Sequence, residues 1–160
     1  MTDVINLEDG QPAPHFSVTD SQGNKFDLAE LNSSGKTVIL YFYPKDDTPG
    51  CTIQACDFRD NMGVLSSTDV AVFGVSKDSA KSHQNFTQKQ GLNFPLLLDT
   101  EGELLEQYGV WREKKNYGRT YMGISRSTFV IESDGTLSLA KYGVKATGHV
   151  ARIMDHLELE

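Results

Sequence analysis

The run Thr37–Tyr43 (TVILYFY) and the turn behind it constrain this chain more than any other segment. A continuous apolar stretch rich in β-branched and aromatic residues marks a central strand covered on both faces, not a half-wetted one. It passes through Pro44-Lys45-Asp46-Asp47 into Thr48-Pro49, an order that opens a helix: threonine as N-cap, proline as the first helical residue. Cys51 then falls in the first helical turn, where backbone N–H groups are unpaired and the positive end of the helix dipole favours an anion. A thiolate is stabilised in such a place, and the thiolate is the nucleophilic form of cysteine.

Downstream, strand and helix signals alternate. Ala55, Phe58, Met62 and Leu65 recur at steps of three and four and predict a helix over Thr52–Leu65. Val70–Val75 (VAVFGV) reads as a second buried strand. Ser79–Gln90 reads as a solvated helix with Asp78 as N-cap and Gly91 just past its end. A short strand, Pro95–Leu98, and a short helix, Gly102–Tyr108, follow. Ser127–Ile131 and Thr136–Tyr142 form strands about the turn Ser133-Asp134-Gly135, and Thr147–Leu157 is a closing helix. The first 35 residues read as an N-terminal extension with a hairpin turn at Asp20–Asn24. A βαβ unit followed by a helix, a hairpin and a helix gives an α/β fold: a mixed central β-sheet flanked by helices. That is the thioredoxin-like arrangement, expected here as one domain over residues 1–160.

Composition narrows the function. A net charge of −7 argues against a nucleic-acid partner. No apolar run approaches a membrane span, and Met1–Gly10 lacks the basic and apolar stretches of a signal peptide. A cytoplasmic, reducing compartment is therefore expected, where two cysteines cycle more readily than they staple. The second cysteine is Cys56. Two cysteines can be mere core residues. A metal site is disfavoured because a Cys-x4-Cys spacing has no second ligand pair to complete it, and His15, His83, His149 and His156 are scattered enough to suit surface or packing roles. Cys-x-x-Cys is absent. No metal and no cofactor is expected.

Positions 51, 55, 58, 62 and 65 share one helix face, so Cys51 heads the buried side, with Thr48 close to that side. Cys56 lies about 140° around the helix and nearer solvent.

These residues resemble those of the peroxiredoxins, whose motif Pro-x3-Thr-x2-Cys stands here as Pro44, Thr48 and Cys51. The longer string YFYPK-x-x-TPGCT-x-x-A-C is similar to the Q-type subfamily, also called bacterioferritin comigratory protein. Gly109-Val110-Trp111, Gly118–Tyr121 and Gly123–Ile131 match it in order, so the resemblance spans about residues 5–158. It implies a thiol-dependent peroxidase acting on hydrogen peroxide and organic hydroperoxides. Cys51 would be the peroxidatic nucleophile, Thr48 would orient the peroxide, and Arg126 would hold the thiolate and the developing charge. Pro44 would shield the sulfur, or simply end the strand. Cys56 would be the resolving cysteine, closing an intramolecular disulfide that a thioredoxin-like or glutaredoxin-like protein reduces. Where some Q-type members carry that cysteine on the next helix, this chain has Phe86 and no cysteine nearby. The family also implies a monomer. A non-enzymatic thiol sensor or holdase is the competing function, and a cysteine-type glutathione peroxidase a third, which the motif and Arg126 disfavour.

Geometry adds an expectation. Helical residues five apart have Cα atoms about 8.6 Å apart, beyond the roughly 7 Å a disulfide tolerates. Oxidation must then unwind the turn from Cys51 to Asp57, with polar Gln54 and Asp57 keeping the unwound form soluble.

Overall fold

A computed structural model describes residues 5–158. The chain opens with a small antiparallel hairpin, β1 (Ser17–Thr19) with β2 (Lys25–Asp27), and a short helix, α1 (Leu28–Ser33). Then come β3 (Thr37–Phe42), α2 (Pro49–Ser67), β4 (Val70–Ser76), α3 (Ala80–Gln90), β5 (Leu96–Leu98) and α4 (Glu103–Gln107). A second hairpin, β6 (Trp111–Asn116) with β7 (Arg119–Ile124), precedes β8 (Ser127–Ile131), β9 (Leu137–Lys141) and α5 (His149–His156).

Five strands form the central sheet in the order β5-β4-β3-β8-β9. The pairs β3–β4 and β4–β5 are parallel, and β3–β8 and β8–β9 antiparallel, so the sheet is mixed as expected. β3 lies at its centre, and its alternation divides the core. Ile39, Tyr41 and Tyr43 pack with Ala55, Phe58 and Leu65 of α2, Phe86 of α3 and Val150 and Ile153 of α5. Val38, Leu40 and Phe42 face the other way, toward Phe16 and Leu28 of the N-terminal extension and Leu104, Leu105 and Tyr108 at α4. Each face of an alternating strand serves a separate layer, which is why this strand has no polar side. Among the described residues, no helix is long and apolar enough to cross a membrane.

The structure departs from the sequence reading in three places. α1 and the β6–β7 hairpin were not foreseen: one is only six residues long, and the other (WREKKN, RTYMGI) lacks an apolar–polar alternation. α3 is not capped by Asp78 and is not simply solvated. Ser79 is its N-cap, accepting from the Ser82 amide at 3.2 Å, and both His83 and Phe86 are buried. The Asp78 carboxylate is occupied elsewhere, by the Ser76 hydroxyl at 2.6 Å and the Asp46 amide at 2.8 Å.

His149, the first residue of α5, is buried, with Nε2 2.7 Å from Thr128 Oγ1 on β8. Burial, reinforced by the nearby Arg152 and Arg126, lowers its pKa to about 4. The folded chain thus holds a neutral ring while the unfolded chain takes up a proton below about pH 6.5, so stability from this group is complete above that pH and is lost as pH falls toward 4. Urea unfolding compared at neutral pH and near pH 4 should show a loss on the order of 3 kcal/mol from this residue, and His149→Gln should lose correspondingly less.

Candidate active site

α2 begins at Pro49 behind Thr48, which takes the extended backbone of an N-cap (φ −90°, ψ 157°). Its side chain does not cap. The Thr48 hydroxyl donates to the Lys45 carbonyl at 2.9 Å and takes none of the amides of the first turn. The expected capping role is thus filled by the backbone alone. The hydroxyl oxygen keeps its acceptor capacity. Cys51 is the third helical residue and is 1% exposed, packed with Tyr41, Tyr43, Ala55 and Phe58. Burial holds the Tyr41 hydroxyl well above its ordinary pKa, with Cys51 adding to the effect, so the ring beneath the sulfur stays neutral.

Arg126 approaches from the sheet. It sits between β7 and β8, where the Ser125 amide donates to the Val110 carbonyl at 2.8 Å and the Arg126 carbonyl accepts from Val144 at 2.9 Å. Its Nη2 lies 3.4 Å from Cys51 Sγ, and its Nη1 donates to Gln54 Oε1 at 2.6 Å. Gly50 gives the guanidinium room: a Cβ there would lie 3.2 Å from Nη2, a tight contact, and 3.7 Å from Ala146 Cβ. A guanidinium is always charged, and a cation against a sulfur favours the thiolate.

Gln54 joins the site without having been expected there. With the helix closed it is fully buried, because it follows Cys51 by three and shares its helix face. Its position relative to Cys51 was the signal available. Gln54 Nε2 has no hydrogen-bond partner among the described residues.

A second cluster holds the loop between β3 and α2. Asp46 is buried and accepts from the Tyr43 hydroxyl (2.6 Å) and the Ser82 hydroxyl (2.8 Å), with His83 Nδ1 at 2.7 Å. His83 Nε2 faces the Leu97 carbonyl at 3.0 Å. Asp47 follows in the left-handed region (φ 62°) and pairs with Lys89 at 2.9 Å. The loop is thus fastened to α3 on both sides. Oxygen and nitrogen atoms of Asp46, Asp78 and His83 lie within 4.8 Å of one another, a spacing a cation could use. Their hydrogen bonds to one another and to Tyr43, Ser76, Ser82 and Leu97 account for the cluster without one. Nothing in a single sequence marks Asp46 and His83 as partners.

Of the remaining expected site residues, Pro44 is exposed two residues past β3, and Cys56 is half-buried on α2. Cys56 Sγ is 3.6 Å from Gln90 Oε1, and Arg59 Nη1 donates to the Gln90 carbonyl at 2.5 Å. Both cysteines are free thiols on one unbroken helix, so the structure brings Cys51, Arg126 and Gln54 together and leaves Cys56 outside that cluster.

A family model described as AhpC/TSA matches residues 10–140. The chain belongs to the AhpC/TSA family. Peroxiredoxin Bcp of Bacillus subtilis strain 168 is 44% identical over 154 residues, covering 96% of this chain and 97% of the relative. Its Escherichia coli K12 counterpart is 41% identical, covering 95% and 96%. Among solved structures, Xylella fastidiosa PrxQ superposes with a TM-score of 0.89 at 32% identity, covering 96% and 97%. The bacterioferritin comigratory protein of Xanthomonas campestris superposes with a TM-score of 0.83 at 36% identity, covering 89% and 90%. The protein is therefore a peroxiredoxin of the Q (Bcp) type with a thioredoxin-like fold, a thiol peroxidase that takes peroxide and a thiol reductant.

In this peroxiredoxin, Gln54→Leu should free the guanidinium of Arg126 from its tether and slow oxidation of Cys51 by hydrogen peroxide about tenfold, the worth of one hydrogen bond to a charged group. Gln54→Glu, which keeps an acceptor there, should retain most of the rate. Stopped-flow oxidation of the reduced protein distinguishes the two.

Proposed function

We propose that Cys51 is the peroxidatic cysteine and Cys56 the resolving one, with Thr48, Arg126 and Pro44 completing the site. The reading rests on one observation above all: a buried sulfur in the first turn of a helix with a guanidinium nitrogen 3.4 Å away. The Cys51 thiolate attacks the nearer oxygen of a hydroperoxide. The S–O bond forms as the O–O bond breaks, and the departing alkoxide or hydroxide takes up a proton to leave as alcohol or water. Thr48 Oγ1 accepts from the peroxide, Arg126 donates to the oxygens as charge develops, and Pro44 limits water at the sulfur. The Cys51 sulfenic acid then condenses with the Cys56 thiol, releasing water and leaving a disulfide. A thioredoxin-like or glutaredoxin-like dithiol supplies two electrons to restore both thiols.

The substrates on this reading are hydrogen peroxide and alkyl hydroperoxides. The X. campestris relative is described with alkyl peroxide reduction activity. We infer that residues 1–160 work as one domain, as a monomer in a reducing cytoplasm without nucleic-acid or membrane partners. The resolving step carries a structural requirement. α2 runs unbroken from Pro49 to Ser67, so Cys51 and Cys56 are held about 8.6 Å apart at Cα and turned about 140° from each other. Their bond needs the first turns of α2 to open, which withdraws Gln54 and Ala55 from the core.

Counting free thiols before and after one equivalent of peroxide tests the assignment, with two lost per chain expected. Cys51→Ser should abolish the reaction, and Cys56→Ser should retain the first oxidation and stop at sulfenic acid without thioredoxin-driven turnover. Amide exchange over Thr52–Arg59 should be faster in the disulfide form than in the reduced form. Normal cycling of Cys56→Ser would remove that residue from the mechanism.

A further inference from the structure

The β6–β7 hairpin is unlike the rest of the molecule. It forms its own two-stranded sheet, and Arg119, Thr120, Tyr121 and Met122 are exposed in succession. Successive strand residues point to opposite faces, so both faces of its outer half are open. Two-stranded hairpins are marginal when nothing covers them. Yet this one carries Tyr117, Tyr121 and Met122, three of the six exposed large apolar side chains among the described residues. Tyr117 is 96% exposed at the tip. Tyr117 and Gly118 both have positive φ (52° and 75°), the backbone of a tight hairpin turn that presents the ring outward.

Charge sets it apart as well. Arg112, Lys114, Lys115 and Arg119 face a single carboxylate, Glu113, giving the hairpin +3 in a chain of net −7, so the remaining residues carry −10. Arg112 and Lys114 are engaged with backbone carbonyls near the base, and among the described residues neither Lys115 nor Arg119 makes a salt bridge. An acidic macromolecule is repelled by most of this surface and attracted to the hairpin.

Location supplies the role. The hairpin closes at Val110 and Ser125, directly before Arg126, and β8 pairs Ser127 with Phe42 at the end of β3 that leads into the Cys51 loop. Hairpin and sulfur therefore emerge from the same end of the sheet, and six-residue strands extend roughly 17–20 Å from it.

We propose that the outer half of the β6–β7 hairpin is the docking surface for the protein thiol reductant, and that the reductant it fits presents acidic side chains around its own thiols. Tyr117 and Tyr121 supply apolar contact, and Lys115 and Arg119 steer and orient. Docking there delivers the reductant's thiolate to the Cys51–Cys56 disulfide. A mixed disulfide forms, the reductant's second thiol displaces it, and two electrons pass to the two cysteines. The inference rests on the disulfide cycle proposed above.

The test compares wild type with Lys115→Glu/Arg119→Glu and with Tyr117→Ser. Turnover of hydrogen peroxide is driven either by a net-negative bacterial thioredoxin or by dithiothreitol, which needs no docking surface. Charge reversal should raise the KM for thioredoxin about tenfold at low ionic strength and flatten its salt dependence, the scale of electrostatic steering. Tyr117→Ser should raise it at all ionic strengths. Oxidation by peroxide and dithiothreitol-driven turnover should be unchanged in both variants. An unchanged KM overturns the proposal, as does wild-type turnover by dithiothreitol with none by thioredoxin. A variant that alters sedimentation instead of KM assigns the hairpin to a second copy of the chain. Loss of dithiothreitol-driven turnover in wild type would count against the disulfide cycle itself, a separate failure.

Discussion

The contact between the Arg126 guanidinium and the Cys51 sulfur joins two parts of the chain that are 75 residues apart in sequence. Most of the surrounding architecture can be understood as what that contact requires. β3 carries the sulfur to the end of the sheet, and β8, its antiparallel neighbour, starts at the same end with Arg126 just ahead of it. Gly50 leaves the gap through which the guanidinium passes, and Gln54 fixes its other nitrogen. A charge withdrawn from water is tolerated only when paired and hydrogen-bonded. The glutamine serves that need for the arginine while the sulfur remains the one group in the cluster able to react.

Holding the sulfur also requires holding the loop that leads to it. Asp46 does this by drawing together the tyrosine that follows β3 and a serine and a histidine from α3. Both His83 ring nitrogens face acceptors, so the cluster binds the loop to the helix and the helix to the Leu97 carbonyl of β5 in one network. Polar networks with buried members rigidify and specify a single arrangement when every member is satisfied. The Cys51 helix head is therefore positioned from two directions, by packing beneath and by hydrogen bonds from the side.

What could be read in the sequence followed from strong, local signals. The β3 run, the Thr48-Pro49 helix start and the stripe headed by Cys51 each carry their own physical reason, and each appears in the structure. Arg126 was legible only through its family motif, since nothing local separates it from other arginines. Gln54 was legible only in its place three residues after Cys51, and Asp46 and His83 were not legible, because a polar side chain buried against a distant partner looks in sequence like one facing water. The β6–β7 hairpin was missed for the opposite reason. Its strands are held by their ladder and bury only residues at their base, so no apolar alternation marks them.

In the disulfide cycle proposed above, the placement of both thiols on α2 ties conformational stability to reduction potential. A disulfide that forms only after the helix opens has, as its competing state, the closed helix with two thiols. Any interaction that steadies the first turns of α2, from the Gln54–Arg126 bond to the Arg59–Gln90 bond, thereby makes the disulfide easier to reduce. The exchange rate between the two quantities is fixed: about 1.4 kcal/mol of helix stability corresponds to about 30 mV for a two-electron couple. Substitutions far from either sulfur, anywhere along the contacts of that helix, would tune the poise of the couple as surely as a change beside it.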